Sequence, residues 1–209
     1  MDNYKDSSPT QIFLLRHGHV ENPSGCFYSQ QDIPLSKQGK QESHEVANLL
    51  KSIPFKAIFT SDLSRTLYLA ELLAKPRNLM PKKRAELREV DFGKWSGLTW
   101  SQIESKYPGQ ILERFKNLET YRPPGGENMA DVKKRSLLIF DEILKKYQGN
   151  SVAIVAHAGI NRIILAYFLN MPIQNCFRLG QDYGCINKIV IFPDGQAVLE
   201  MLNWKDRII

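Results

Sequence analysis

The chain has 209 residues, 43% of them hydrophobic and 24% charged, which is ordinary for one compact globular domain (residues 1–209) with a sizeable core. No run approaches the ~18 apolar residues of a membrane helix, and Met1 to Thr10 is polar and unlike a signal peptide, so a cytoplasmic protein without membrane attachment is expected. Cys26, Cys176 and Cys185 lack C-x-x-C spacing and read as reduced thiols, while the net charge of +6 is scattered in short groups such as Lys82-Lys83-Arg84 and reads chiefly as solvated surface.

In chain order, Ile12 to Leu15 is a short continuous apolar run closed by Arg16-His17-Gly18, the pattern of a strand buried on both faces. Ser36 can cap a helix from about Lys37 to Ser52, striped by Val46, Leu49 and Leu50. Lys56 to Ser61 reads as a strand, and Leu63 to Ala74 as a helix stopped near Pro76. A long helix from about Asn128 to Tyr147 gathers Val132, Ile139, Phe140, Ile143 and Tyr147 on one face, and Gly149-Asn150 punctuates its end. Ser151 to Ala156 is a second buried strand ending at His157, followed by an apolar helix from Ile160 to Leu169. Cys185 to Phe192, a Pro193-Asp194-Gly195 turn and Gln196 to Asn203 read as a β-hairpin.

This alternation predicts an α/β fold, a three-layer sandwich with a mainly parallel central sheet flanked by helices and a C-terminal hairpin at the sheet edge. Ligands of such sheets bind beyond the carboxyl ends of the strands. Arg16-His17-Gly18 and His157-Ala158-Gly159 both stand where a buried strand runs out, with a Gly permitting a tight turn. Two histidines far apart in sequence are thereby placed on one edge. Arg16 adjoins the first, and Arg65 opens the helix after another strand; Arg suits a planar, bidentate hold on phosphate.

Taken with its neighbours, I12-F-L-L-R-H-G resembles the entrance motif of the histidine phosphatase superfamily, which includes cofactor-dependent phosphoglycerate mutases, fructose-2,6-bisphosphatases and alpha-ribazole phosphatases. Five further segments continue the resemblance in order: Tyr28 to Ser36, Ser61-Asp62-Leu63-Ser64-Arg65-Thr66, Leu87 to Gly97, Pro124-Gly125-Gly126-Glu127-Asn128, and Val155 to Gly159. The resemblance implies a metal-independent hydrolase of the histidine acid phosphatase type, without cofactor, acting on a small phosphorylated metabolite. It makes His17 the nucleophile that forms a phosphohistidine, with one ring nitrogen held by a backbone carbonyl. Arg16, Arg65 and His157 surround the phosphoryl group, Asn22 reaches it from the following loop, and Glu89 is the general acid and base, selected over Glu86 and Asp91 by the L-x-E-x-x-x-G match.

His19 stands where the family commonly has Glu or Gln, and Val20 where Ser or Thr is frequent. His19 is therefore expected at the substrate rim, with Tyr28, or else as a structural residue of the loop. His17-x-His19 with His157 also raises a zinc set, against which Arg16 and Arg65 would repel a cation. Only 34 residues separate Glu89 from Pro124, where the mutases carry a longer insertion. The resemblance is closest to the alpha-ribazole phosphatase branch. A mutase and a non-catalytic phospho-ligand binding module are the alternatives; no aromatic-basic RNA motif points to nucleic acid.

Overall fold

The computed structural model describes residues 8–206, and residues 1–7 of the polar N-terminal stretch lie outside them. Its elements are β1 (Thr10–Arg16), α1 (Lys37–Leu49), β2 (Phe55–Thr60), α2 (Ser64–Ala74), β3 (Lys82–Lys83), α3 (Trp100–Lys106), α4 (Gln110–Lys116), α5 (Met129–Lys146), β4 (Ser151–Ala156), α6 (Ala158–Phe168), β5 (Ile186–Ile191) and β6 (Ala197–Trp204). The strands form one six-stranded sheet in the order β3-β2-β4-β1-β5-β6. The first four run parallel, and β5 turns back antiparallel to β1 with β6 as its hairpin partner.

The central strands are apolar on both faces because each face is covered. Ile12, Leu14, Phe59, Val152 and Ile154 pack under α5 and α6 against Ile139, Phe140, Ile143, Ile160 and Ile164. Phe13, Leu15, Ile58, Ala153 and Val155 pack under α1 and α2 against Val46, Leu50, Leu69 and Leu73. Neighbouring residues of β1 and β4 therefore feed opposite cores, as the period of two in a strand requires. A small third cluster of Trp95, Ile103 and Ile111, flanked by Phe27 and Phe92, builds a cap from α3 and α4. No helix among the described residues is long and apolar enough to cross a membrane.

Several ends differ from expectation. Helix α1 stops at Leu49, three residues early, because Pro54 disfavours helical backbone before it and the chain must turn into β2. Helix α6 begins at Ala158, two residues early. Gly159 is thus inside its first turn, and neither Gly159 nor Gly18 has a positive φ. What each glycine supplies is room. A Cβ at Gly159 would stand 2.5 Å from Glu89 Oε1. A Cβ at Gly18 would collide with the Gly39 carbonyl, and one at Gly39 with the backbone of His19, so the loop leaving β1 lies directly on the first turn of α1. Gly18→Ala should accordingly lower unfolding stability by roughly 1–3 kcal/mol in urea titration; a change within about 0.5 kcal/mol would mean that the contact gives way easily.

Candidate active site

The register of the parallel strands brings the candidate residues together. Arg16 pairs with Ala156 and Thr60 with Val155, so β1, β2 and β4 end abreast and the next residues, His17, Ser61 and His157, emerge side by side. The His17 amide donates to Ala156 O at 3.2 Å, the Ser61 amide to Val155 O at 3.2 Å, and the two imidazoles lie 5.1 Å apart between centroids. Both are buried, at 1% and 0% exposure.

His17 Nδ1–H donates to Gly18 O at 2.7 Å, which fixes the tautomer and leaves the Nε2 lone pair outward. Burial, with the positive charge of Arg16 and Arg65 added to it, pushes the His17 pKa well below the ordinary value despite the Gly18 contact. Both effects favour the uncharged ring. Burial, then Arg65 and His17, likewise lowers His157. Its Nε2 lies 2.8 Å from Ser61 Oγ, which lies 2.7 Å from Thr66 Oγ1, while its buried Nδ1 has no partner. The Thr66 hydroxyl also donates to Leu63 O at 2.8 Å; when Ser61 donates to Nε2, Nδ1 carries the proton.

The two arginines are held by carbonyls rather than acids. Arg65 is fully buried, with Nη1 donating to Gln31 O at 2.6 Å and Nη2 to Ser29 O at 2.9 Å. Arg16 Nη1 donates to Gln181 O at 2.5 Å, and its guanidinium stacks 3.8 Å from the Tyr183 ring centroid. The Nε of each is buried without a partner. Three orphaned polar groups, Arg16 Nε, Arg65 Nε and His157 Nδ1, thus border one buried imidazole. Unsatisfied buried polar groups are rare, and two guanidinium N–H groups are suited to an anion.

Glu89 faces this cluster from the chain after β3. Val90 N donates to its Oε1 at 2.9 Å and Gly159 N, in the first turn of α6, to its Oε2 at 3.1 Å. Its backbone carbonyl is gripped by Arg135 at 3.0 Å and Gln30 at 3.1 Å, and Arg135 is itself paired with Glu127 at 2.8 Å. That pair gives the Pro124-Gly125-Gly126-Glu127 segment its purpose, since it holds the irregular Glu89 segment in place. Beside Glu89 opens a cavity of about 260 Å³ lined also by Cys26, Phe27, Tyr28, Ser29 and Phe92. Asp91 is turned away, its carboxylate accepting from Gly93 N at 2.8 Å.

Three expected residues are otherwise engaged. Asn22 closes its own loop, donating to Cys26 O at 2.9 Å and accepting from Cys26 N at 3.2 Å. His19 is tied into the loop, with Nδ1 2.8 Å from Ser36 Oγ and its amide donating to Glu42 at 2.8 Å. Its ring meets Tyr183 edge-on at 5.2 Å, so it stands next to the site with its backbone pinned. Val20 is buried and bridges to Leu35, which explains an apolar residue there. Tyr28 lines the cavity, and its hydroxyl lies 3.1 Å from that of Tyr183. Among the described residues no three His, Cys, Asp or Glu side chains form a group able to hold a metal, so the zinc set is not assembled.

Tyr183 and Gln181 were not foreseen. Tyr183 touches Arg16, His17, His19 and Tyr28, yet it lies in an irregular loop where no periodicity marks it. Gln181 is buried, its side chain bonded to Asn161 and Asn187, and only a buried polar network explains it.

A family model described as the Histidine phosphatase superfamily (branch 1) matches residues 12–205. Phosphoserine phosphatase 1 of Hydrogenobacter thermophilus is 28% identical over 192 residues, covering 91% of each chain. A 2,3-bisphosphoglycerate-dependent phosphoglycerate mutase of Rhizobium etli is 30% identical over 197 residues, 85% of this chain and 94% of its own. Among solved structures, the alpha-ribazole phosphatase from Shigella flexneri superposes with a TM-score of 0.84 at 25% identity, covering 93% of this chain and 96% of the other.

The buried neutral histidines have a thermodynamic signature. The unfolded chain takes up protons as pH falls through about 6.5, whereas the folded chain holds His17 and His157 below that value. Stability present above about 6.5 is therefore lost as pH falls toward the folded values, at up to about 1.4 kcal/mol per pH unit for each ring. The melting temperature should fall between pH 7.5 and 5.5, and His17→Gln and His157→Gln should each flatten that slope. A slope unchanged in both variants would contradict the neutral assignment.

Proposed function

The chain belongs to the histidine phosphatase superfamily, and on that premise we propose that it is a phosphomonoesterase acting on a small phosphorylated metabolite through a phosphohistidine on His17. The reading rests on one observation: a buried imidazole with Nδ1 tied to Gly18 O, bordered by the unpartnered Arg16 Nε, Arg65 Nε and His157 Nδ1. In the first step the His17 Nε2 lone pair attacks phosphorus, a P–N bond forms, and the P–O bond to the leaving group breaks as Glu89 gives that oxygen its proton. Glu89, now a carboxylate, takes a proton from water; the hydroxide attacks phosphorus, the P–N bond breaks and inorganic phosphate leaves. Both transition states place charge on the equatorial oxygens, where the arginines and His157 donate.

Cationic side chains supply the positive charge that a metal provides in other phosphatases, so turnover is proposed to be metal-independent. The alpha-ribazole phosphatase in the structural comparison and the phosphoserine phosphatase among the relatives make alpha-ribazole 5'-phosphate and phosphoserine the first substrates to try. The mutase relative favours a second reading, phosphotransfer, which would appear as movement of phosphate between positions of added phosphoglycerate.

With EDTA present, the protein should release inorganic phosphate from p-nitrophenyl phosphate and from alkyl phosphates. Glu89→Gln keeps shape but cannot exchange a proton, so kcat on alkyl phosphates should fall by roughly 10²- to 10⁴-fold with little change in KM. The loss should shrink on p-nitrophenyl phosphate, whose leaving group scarcely needs protonation. Equal losses on both esters would assign Glu89 to positioning, and activity abolished by EDTA would sink the arginine cradle.

A further inference from the structure

Tyr183 stands in the middle of the site with no part in the phosphate chemistry derived above. Its ring stacks on the Arg16 guanidinium, 3.8 Å from carbon to centroid, and lies 5.6 Å from the His17 ring. Tyr28 stands in the same relation to the other phosphate arginine, with the Arg65 guanidinium carbon 5.0 Å from its centroid. The two hydroxyls meet at 3.1 Å. One pair of phenols therefore reaches from one guanidinium to the other, beside the nucleophile.

The loop that carries Tyr183 is anchored on both sides of it. The Asp182 amide donates to Asn203 Oδ1 on β6 at 2.6 Å, and the Gly184 amide donates to the His17 carbonyl at 3.1 Å. Gly184, with a φ of 66°, turns the chain at that point, a conformation that costs glycine little. The peptide after Tyr183 is thus bonded to the nucleophile's own backbone, which fixes the phenol relative to the imidazole.

Two hydroxyls carry two protons, and the bond between them uses one. Among the described residues no further hydrogen bond is made by either phenol, so the second proton is uncommitted, like those of Arg16 Nε and Arg65 Nε. Burial, and then the neighbouring Tyr183, push the Tyr28 hydroxyl above its ordinary range, so it keeps its proton. Tyr183 is the member of the pair in contact with both His17 and Arg16. A hydroxyl that accepts a hydrogen bond also becomes a better donor, which favours the order Tyr28 to Tyr183 to ligand.

We propose that Tyr183 is a further phosphate-binding residue, whose hydroxyl accepts from Tyr28 and donates to a non-bridging oxygen of the phosphoryl group on His17. The inference rests on the phosphohistidine reading above and adds a neutral donor to Arg16, Arg65 and His157. A neutral group suits the place. Another cation at stacking distance from Arg16 would be repelled, whereas a phenol supplies a donor at its tip and attracts the guanidinium with its face.

The test uses Tyr183→Phe and Tyr28→Phe, which keep both rings and their stacking on the arginines. Orthovanadate, which copies five-coordinate phosphorus, is the probe, with p-nitrophenyl phosphate as substrate. In Tyr183→Phe the inhibition constant for orthovanadate should rise roughly 10- to 100-fold, the scale of a hydrogen bond to a charged group, and kcat/KM should fall by a similar factor. The melting temperature should stay within about 2 °C of the parent. Tyr28→Phe should cost only about 2- to 5-fold because its hydroxyl acts through Tyr183, and the double variant should match Tyr183→Phe alone. A phenol that merely packs against Arg16 would leave orthovanadate binding and turnover unchanged in Tyr183→Phe, a result that overturns the inference and keeps the phosphatase reading. A larger loss in Tyr28→Phe than in Tyr183→Phe, or losses that multiply in the double variant, would also overturn it. Absence of any ester hydrolysis by the parent protein would instead remove the phosphatase reading, and the inference with it.

Discussion

Strand β4 runs between β1 and β2, parallel to both, and its register levels the three carboxyl ends. Shifting β4 by one residue would send His157 to the opposite face of the sheet, because side chains alternate along a strand. The register is secured by apolar side chains on both faces of β4, every residue of which is buried. The tightly packed core is thus the device that holds His17, Ser61 and His157 within contact of one another, and the cap, the Glu89 segment and the Tyr183 loop are arranged around that fixed edge.

The charge pattern at this edge is lopsided. Arg16, Arg65 and, farther out, Arg162 lie on the same side of the site as the Glu89 carboxylate, while burial and the arginines together oppose protonation of the two histidines. On the function proposed above, such a site suits a dianion, which would meet the unpartnered Arg16 Nε, Arg65 Nε and His157 Nδ1 together. The carbonyls of Ser29, Gln31 and Gln181 hold the arginines in place without neutralising them, which keeps the positive potential directed at the ligand. Carboxylate partners in those positions would have stabilised the empty protein and weakened the cradle.

Much of this was legible in the sequence. Runs such as Ile12 to Leu15 and Ser151 to Ala156 fit strands covered on both faces, and the residues after them were expected to share an edge. The start of α5 near Asn128 was equally readable, while the capping box that Asp131 closes there belongs to the fold. Helices α3 and α4 were not anticipated, since each has 7 residues and draws its stability from the Trp95 cluster rather than from its own period. The glycines illustrate another limit: composition shows that a side chain is missing at Gly18 and Gly159, but only the fold shows that close approach, and not a left-handed turn, is the reason. Tyr183 escaped notice because its partners come from β1 and two loops, and no local pattern encodes such a meeting.

The central claim is that Nδ1 of His17 is occupied by Gly18 O and that Nε2 therefore carries the phosphoryl group. The most direct measurement is to quench the protein in alkali while it turns over p-nitrophenyl phosphate, then locate the label by ³¹P NMR and peptide mass spectrometry. Phosphate on Nε2 of His17 is the predicted result. Phosphate on Nδ1 of that ring, on His157, or on no histidine at all would contradict the account.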